Sequence, residues 1–307
     1  MSTPRIAAVH DLSCFGRCAL TIVMPTLSVM GVQCCPVPTA LLSTHTGGFT
    51  GNTFLDLSDE MAAITAHWQS LGLGFQGIYT GFLGSMRQIG LTENLIQAFR
   101  REGAAVVIDP VMGDHGRPYR TYTPELCRGV RDLSRLADVV VPNRTEAAIL
   151  LERDYSEITL EREEDCCRWA RALSMGGRRS VVLTGIALEG DRTGAACFDR
   201  ATGRTEIVTA PHVAGDFHGT GDLFASVLTG ALVRGMDLVD AAALAAEFTA
   251  LCARRTAGQD YPRREGVDFE PLLWRLGQAL AEGERAAEEP RRDMGSAGPE
   301  PGKGEPL

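Results

Sequence analysis

The feature that most constrains this fold is an alternation of short apolar runs with segments of helical periodicity. Residues 104–108 and 137–141 are rich in valine and isoleucine, which is typical of strands buried on both faces. A polar stretch and then a helical segment follow each run. Because a strand, helix, strand order produces parallel strands, the sequence predicts an α/β fold with a mostly parallel central sheet covered on both faces.

The other predicted elements extend this alternation along the chain. Predicted strands occupy residues 5–10, 33–37, 77–80 and 180–185, and residues 193–198 and 205–208 predict a hairpin. Predicted helices include residues 19–30, 92–101, 161–175, 223–233, 237–255 and 268–281. Open α/β sheets bind ligands at the carboxyl ends of their strands, so we expect the polar residues there to line a single crevice.

Composition excludes several classes of protein. The chain has 307 residues, long enough for one large α/β domain, and 44% of them are hydrophobic. A formal charge of −9 opposes binding to nucleic acid or to an anionic membrane. No apolar run approaches the ~18 residues needed to cross a bilayer, and residues 1–5 show no signal-peptide pattern. We expect a cytoplasmic protein with no nucleic-acid or membrane partner.

Cysteine and lysine usage narrows the possible chemistry. The nine cysteines include adjacent pairs but no Cys-x-x-Cys spacing, which favours core packing in a reducing compartment over a zinc site. Lys303 is the only lysine, so the chain has no phosphate-binding loop of the Gly-Lys-Ser/Thr type. Any phosphate must therefore be held without such a lysine, for example by backbone amides.

Residues 217–226 supply such amides. They read Phe-His-Gly-Thr-Gly-Asp-Leu-Phe-Ala-Ser and lead into the predicted helix 223–233. Gly219, Thr220 and Gly221 let N–H groups converge at a helix start, where the positive potential favours an anion. Asp222 could then take a proton from an alcohol that attacks the phosphorus. In the alternative interpretation, the glycines only form a turn and Asp222 only complements the helix dipole.

Carboxylates follow two of the buried strands. Asp109 and Asp114 lie in one strand-end loop, and holding two carboxylates close together is costly without a cation. Asn143 and Glu146 follow the next strand, at the end of the sheet where open α/β folds bind ligands. They could also simply cap the helix predicted to begin at Thr145.

Another glycine pattern does not predict a dinucleotide-binding site. Gly72, Gly74 and Gly77 have the dinucleotide-binding spacing but precede a predicted strand, whereas that motif follows a strand and opens a helix. A nicotinamide-dependent dehydrogenase is therefore disfavoured.

The Gly-Thr-Gly-Asp segment entering a helix of small residues resembles the anion-hole motif of the ribokinase-like superfamily. Similarity from residue 5 to about residue 255, with several motifs in the family's order, narrows the resemblance to its pyridoxal kinase branch. The resemblance implies a ribokinase-like, three-layer αβα sandwich over residues 1–281, with little or no separate lid. Residues 282–307 are rich in Glu, Arg, Pro and Gly, which predicts a disordered tail.

The resemblance also implies a reaction, the transfer of the terminal phosphate of ATP to the 5′-hydroxymethyl group of a B6 vitamer. Asp222 would be the base, and the amides of Gly219, Thr220 and Gly221 would hold the migrating group. Mg²⁺ would accompany ATP, and K⁺ is a candidate monovalent ion. The resemblance assigns nucleotide and magnesium contacts to Asp109, Asp114, Asn143, Glu146 and Thr184, with Asp109 and Glu146 closest to the metal.

The same resemblance assigns contacts with the ring of the acceptor substrate to three further residues. Ser13 would contact the pyridine ring, Thr46 its substituents, and Phe82 one face of the ring. The alternatives are a plain turn for Ser13, a polar loop for Thr46 and core packing for Phe82. Roles for His45 and His218 stay open, and residues 116–122 are expected to form a mobile flap.

Other functions remain as alternatives. A hydroxymethylpyrimidine kinase or another small-alcohol kinase of the superfamily would share the phosphate chemistry. Its dual-specificity members carry a cysteine just before the anion hole, whereas residues 211–218 contain none. A non-catalytic vitamer-binding protein would not need Asp222, Asn143 and Glu146 together. Relatives are commonly dimers, so we expect a homodimer.

Overall fold

The computed structural model describes residues 3–101 and 103–288, which form a nine-stranded sheet, a two-stranded hairpin and flanking helices. The strands are β1 (Arg5–Ser13), β2 (Gln33–Leu42), β3 (Phe54–Asp56), β4 (Gly77–Thr80), β5 (Ala105–Ile108), β6 (Gly113–Asp114), β7 (Arg117–Pro118), β8 (Val139–Val140), β9 (Ser180–Leu188), β10 (Arg192–Phe198) and β11 (Thr205–Pro211). The helices are α1 (Leu20–Val29), α2 (Ser58–Ser70), α3 (Met86–Phe99), α4 (Pro124–Leu133), α5 (Arg144–Leu151), α6 (Glu163–Leu173), α7 (Thr220–Val233), α8 (Leu238–Ala257) and α9 (Trp274–Glu288).

The strand order of the large sheet positions the site. It runs β11-β10-β9-β8-β5-β4-β1-β2-β3, and the six strands from β9 to β2 are parallel. The chain passes from β1 to β2 and then returns to the other side of β1 at β4. This reversal creates a crevice at the carboxyl ends of β1 and β4, where open sheets bind ligands.

Alternate residues of each central strand enter two separate cores. Ile6 and Ala8 pack with α1, α7 and α8, whereas Ala7 and Val9 pack with the layer that contains α3 to α6. All four side chains are fully buried. The predicted three-layer αβα sandwich with a mostly parallel sheet is therefore confirmed.

Four strands, β1, β2, β9 and β11, extend at least three residues beyond their predicted ends. Residues 11–13 belong to β1, although their polar character suggested a turn, and β2 continues past Pro38, where we expected it to end. Pro36 and Pro38 are tolerated because β3 pairs only with residues 40–42 of β2, so no strand needs their missing N–H groups.

Helix boundaries also differ from the expectations. Ser85 caps α3 by accepting a hydrogen bond from the Gln88 amide, so this helix begins at Met86 rather than at residue 92. Residues 268–273 include a 3-10 turn, and α9 begins at Trp274. This helix continues past residue 282, the expected start of the tail, and residues 289–307 lie outside the described residues.

Two other sequence interpretations are confirmed. The glycine triplet beginning at Gly72 lies between α2 and β4, which is the wrong place for a dinucleotide-binding loop. Strands β10 and β11 form the predicted antiparallel hairpin. Within the described ranges, the strands outside the main sheet form only the short β6–β7 hairpin, and no helix could span a membrane.

Asp138 anchors the amino ends of β5 and β8, on the side of the sheet opposite the site, and this contact can be tested. Its Oδ1 accepts hydrogen bonds from Arg100 and Arg200, and its Oδ2 accepts one from the Val106 amide at 2.9 Å. Replacing the buried carboxylate in Asp138→Ala should lower the free energy of unfolding by about 3 kcal/mol, because the Val106 amide loses its acceptor. Chemical denaturation measures this. Asp132→Ala, which removes an exposed carboxylate, should change stability by less than about 0.5 kcal/mol; equal effects would contradict the assignment.

Candidate active site

The start of α7 forms a backbone cradle. Gly219 precedes the helix with φ +82, and a Cβ there would lie 2.4 Å from the Arg17 carbonyl oxygen. No side chain caps the helix, and the first amides of a helix have no partner within it. A Cβ at Gly221 would meet no protein atom within 4 Å, so the space beside it is open. An anion could therefore reach these amides.

Asp222 lies at this helix start with its carboxylate fixed on one side. Its Oδ2 accepts a hydrogen bond from the Ala19 amide at 2.9 Å, across 203 residues of sequence. Burial raises the pKa of Asp222 to about 6, the Ala19 N–H group opposes this rise, and the charge of Asp11 adds to it. None of the groups that shift this pKa is a cation. The group can thus accept a proton near neutral pH.

A second carboxylate enters the crevice from β5. Asp109 directly follows this strand, and its amide donates to the Thr80 carbonyl at 3.0 Å. Burial, followed by the charges of Glu146 and Asp222, raises the pKa of Asp109 well above its ordinary value. The charges of two predicted site residues on other elements, Glu146 and Asp222, therefore act on Asp109.

Asn143 and Glu146 form a capping box at the start of α5. Asn143 Oδ1 accepts from the Glu146 amide at 2.9 Å, and Glu146 Oε2 accepts from the Asn143 amide at 2.8 Å. Glu146 Oε1 also accepts from the Met112 amide at 3.1 Å, and Asn143 Nδ2 donates to the Gly113 carbonyl. The capping interpretation is confirmed, and the same bonds tie α5 to the loop after Asp109.

The carboxylates of Asp109 and Glu146 are suitable ligands for a magnesium ion that accompanies a nucleotide. Burial raises the pKa of Glu146 to about 7. Among the described residues no group of three or more His, Cys, Asp or Glu side chains could hold a metal ion by itself. Mg²⁺ commonly uses only one or two carboxylates together with phosphates and waters. Asp109 and Glu146 fit this pattern because a cation would relieve their repulsion.

Asp114 and Thr184 lie at the rim. Asp114 is exposed in the β6–β7 hairpin, and His115 Nε2 is 3.7 Å from Asp114 and 3.6 Å from Asp216. Thr184 lies in β9, and its Oγ1 donates to the Pro142 carbonyl at 3.3 Å. Thr184 therefore adjoins the strand end that carries Asn143, whereas Asp114 adjoins the loop that leads to α7.

The predicted acceptor residues differ in accessibility. Ser13 is fully buried, and its Oγ donates to Asp11 Oδ2 at 3.0 Å. Asp11 is also buried, and burial raises its pKa. Thr46 is exposed, and the half-buried Phe82 ring lies 5.8 Å from the Tyr122 ring. Asp11, for which no catalytic or binding role was predicted, is thus a further carboxylate whose charge acts on Asp222.

The two histidines left open by the sequence pack together. His45 Nδ1 accepts from the Gly47 amide, and its Nε2 lies 2.7 Å from the Arg264 carbonyl, so the neutral ring donates from Nε2. Burial lowers the pKa of His45, which favours this neutral form. The ring of His218 is 5.3 Å away. His45 therefore fixes the shape of the loop that carries Thr46.

The expected flap is anchored rather than free at its end. The Tyr122 side chain is only 7% exposed, and its hydroxyl donates to the Leu83 carbonyl at 2.9 Å. The Gly116 amide donates to Thr145 Oγ1 at 2.9 Å, which fixes the hairpin to α5. A mobile flap that extends to residue 122 is wrong, because its last residue is a core side chain.

Comparison with known proteins agrees with this geometry. The family model described as phosphomethylpyrimidine kinase matches residues 24–261. The chain belongs to this family. Its fold is that of the ribokinase-like pyridoxal kinases, and it is a kinase of the pyridoxal and phosphomethylpyrimidine kinase group.

Similar proteins carry both substrate names. A crystal structure of a candidate phosphomethylpyrimidine kinase from Bacteroides thetaiotaomicron is 41% identical and superposes with a TM-score of 0.85 over 90% of this chain and 94% of that one. A second crystal form of that protein contains pyridoxal. Pyridoxal kinase from Lactobacillus plantarum is 30% identical, with a TM-score of 0.82 over 92% and 99% of the two chains. A candidate pyridoxal kinase from Caenorhabditis elegans is 34% identical, and this match covers 49% of the chain and 46% of the relative.

The two glycines of the cradle should respond differently to one substitution. Gly219→Ala places a Cβ against the Arg17 carbonyl at positive φ and should lower the free energy of unfolding by about 1–3 kcal/mol. Gly221→Ala meets no protein atom, so this kinase should keep its stability within about 1 kcal/mol. Its new methyl group should nevertheless obstruct the phosphates and lower kcat/KM for ATP at least about tenfold. Thermal unfolding and steady-state kinetics separate the two effects; unchanged ATP kinetics in Gly221→Ala would refute the cradle.

Proposed function

We propose that the protein transfers the terminal phosphate of ATP to the 5′-hydroxymethyl group of pyridoxal, pyridoxamine or pyridoxine. The observation that carries the phosphotransfer is the position of Asp222 beside the uncapped amides of α7, with its carboxylate held by Ala19. The vitamer is supported by the pyridoxal in a crystal of a protein that is 41% identical. ATP is supported by the complexes of related kinases with ADP.

Asp222 acts on the acceptor alcohol. Its Oδ2 remains on the Ala19 amide, which leaves Oδ1 to accept the hydroxyl proton. The alcohol oxygen forms a bond to the terminal phosphorus as the bond to the ADP oxygen breaks. The amides of Gly219, Thr220 and Gly221 hold the phosphoryl oxygens during the transfer and substitute for a lysine.

Asp109 and Glu146 organise the nucleotide side. When bound, Mg²⁺ would neutralise phosphate charge. Asp109 contributes a buried carboxylate at the end of β5, and Glu146 is oriented by the amides of Asn143 and Met112. Asn143, Asp114 and Thr184 are proposed to line the path of the phosphates and nucleotide, with K⁺ as a candidate ion.

The acceptor ring is proposed to lie between β1, the loop that carries Thr46 and the end of β4. Phe82 offers a ring face, and Thr46 offers an accessible hydroxyl. Because Ser13 is buried and donates to Asp11, its proposed contact requires movement of the loop that follows β1. A homodimer is proposed from the resemblance, and the exposed side chains of Phe54 and Leu55 on the edge strand β3 are consistent with it.

The second candidate is a hydroxymethylpyrimidine or phosphomethylpyrimidine kinase, which the description of the matching family model favours. An assay that couples ADP release to a colour change should compare the three vitamers with hydroxymethylpyrimidine. Our proposal expects kcat/KM for one vitamer to exceed that for the pyrimidine at least about tenfold. A preference for the pyrimidine would establish the second candidate, and vitamer binding without ADP release would indicate a binding protein.

Removing the base should abolish turnover without abolishing nucleotide binding. Asp222→Ala should lower kcat at least about a hundredfold, because no other group accepts the hydroxyl proton. Calorimetric ATP binding should stay within about threefold, since the amide cradle is intact. Asp216→Ala, in the exposed loop before α7, is the matched control. Near-normal turnover in Asp222→Ala would refute the base.

The pKa of the base predicts an acid limb. Asp222 must be ionised to accept a proton, so activity should be lost as the pH falls through about 6. A plot of log kcat/KM for the vitamer should fall with unit slope below this value and level off above it. If kcat/KM stayed constant down to about pH 4.5, Asp222 would not be the group that accepts the hydroxyl proton.

A further inference from the structure

A segment near the end of the described chain contacts three of the loops that carry predicted site residues or precede them. Residues 261–270, here named the clasp segment, make a backbone contact with each of three loops. Glu265 O accepts from the Arg17 amide at 2.9 Å, and the Val267 amide donates to His218 O at 3.0 Å. Arg264 O receives the hydrogen bond from His45. The clasp segment therefore connects the loops that follow β1, β2 and β11.

The Arg17 side chain adds further contacts with the clasp segment. Its Nε lies 2.8 Å from both carboxylate oxygens of Glu270, and Nη2 lies 3.4 Å from Asp268 Oδ1. Nη1 is 3.4 Å from the Tyr261 hydroxyl, and the guanidinium lies over the Tyr261 ring at 5.6 Å. One side chain thus contacts three residues of the clasp segment.

The backbone at Arg17 is enclosed on two sides. A Cβ at Gly266 would lie 2.7 Å from both the Cβ and the carbonyl oxygen of Arg17, and a Cβ at Gly219 would lie 2.4 Å from that oxygen. The clasp segment and the start of α7 therefore pack against the same peptide. The Arg17 backbone therefore cannot shift toward either side without displacing the clasp segment or the start of α7.

Two residues further on, the chain is strained. Ala19 has φ +45 and ψ −130, a conformation that a residue with a Cβ rarely adopts. Such a conformation costs on the order of 1–3 kcal/mol and persists only where surrounding contacts enforce it. In this conformation the Ala19 amide donates to Asp222.

We propose that Arg17 is a positioning residue, whose contacts with the clasp segment hold Ala19 in its strained conformation and so keep the Ala19 amide on Asp222. This inference rests on the proposed function of Asp222 as the base. Without Arg17, the loop of residues 14–19 would relax, and the Ala19 N–H group would leave the carboxylate. The carboxylate would then lose its orientation and the interaction that favours its ionised form.

The direction of the resulting change in pH dependence follows from the charges around Asp222. The Ala19 N–H group lowers the pKa of Asp222, whereas burial and Asp11 raise it. The other titratable groups whose charges interact with Asp222 are Cys18, Tyr79, Asp109 and Tyr119, and none of them is cationic. Loss of the N–H group therefore moves the pKa of Asp222 upward, and the acid limb moves with it.

The experiment compares Arg17→Met with Arg255→Met. Arg255 Nε bonds Asp268 Oδ2 at 2.6 Å, so it anchors the same segment without contacting residues 14–19. Arg17→Met should lower kcat at least about tenfold and raise the acid limb by at least about half a pH unit, with KM for ATP within about threefold. Arg255→Met should reproduce any loss of thermal stability but leave the acid limb in place. Glu270→Gln, at an exposed partner, should shift the limb in the same direction and add little to Arg17→Met in the double variant.

The outcomes separate this inference from the proposed function. A wild-type kcat and pH profile in Arg17→Met and Glu270→Gln would overturn the positioning role. An equal shift in Arg255→Met would also overturn it, because general loosening of the clasp segment would then explain the effect. If Asp222→Asn retained turnover, the proposed function would fail first. If Asp222→Asn were inactive and Arg17→Met had a normal profile, only the present inference would fail.

Discussion

The mutual repulsion of buried carboxylates at one edge of the sheet is the constraint on which this site depends. Parallel pairing of β1, β4, β5 and β8 brings their carboxyl ends together, and α7 adds its amino end beside them. Asp109, Glu146 and Asp222 consequently share a region where burial disfavours their charges. Such an arrangement is stable in a fold only if amides, a cation or substrate protons offset the repulsion.

The chain meets this constraint with backbone groups. Glu146 is held by two amides and Asp222 by one, while the open amides of α7 remain for a ligand. A backbone amide has a fixed direction and no side-chain entropy to lose, which suits a site that must hold one geometry. The cost is conformational, since Gly219 must be glycine and Ala19 must be strained.

The fold class and the local helix cap were predicted correctly, whereas some strand ends and contacts between distant residues were not. The cap formed by Asn143 and Glu146 was foreseeable because both partners lie within one helical turn. The ends of β1 and β2 were wrong because Asp11, Ser13 and Pro38 are turn signals that pairing with neighbouring strands overrode. Tyr122 was assigned to a flap because nothing near it in sequence indicates that its hydroxyl reaches Leu83.

The sequence by itself determined the alternation of strands and helices, the absence of a lysine-based phosphate loop and the cradle that ends at Asp222. These depend on neighbouring residues, whose periodicity and backbone preferences are local. Only the tertiary structure decided that the Ala19 amide holds Asp222 and that Arg17 anchors the loop that contains Ala19. The Ala19 amide lies 203 residues from Asp222, and Arg17 lies 253 residues from Glu270, so both contacts depend on how distant elements pack. No local preference encodes the strained conformation of Ala19, because only packing enforces it.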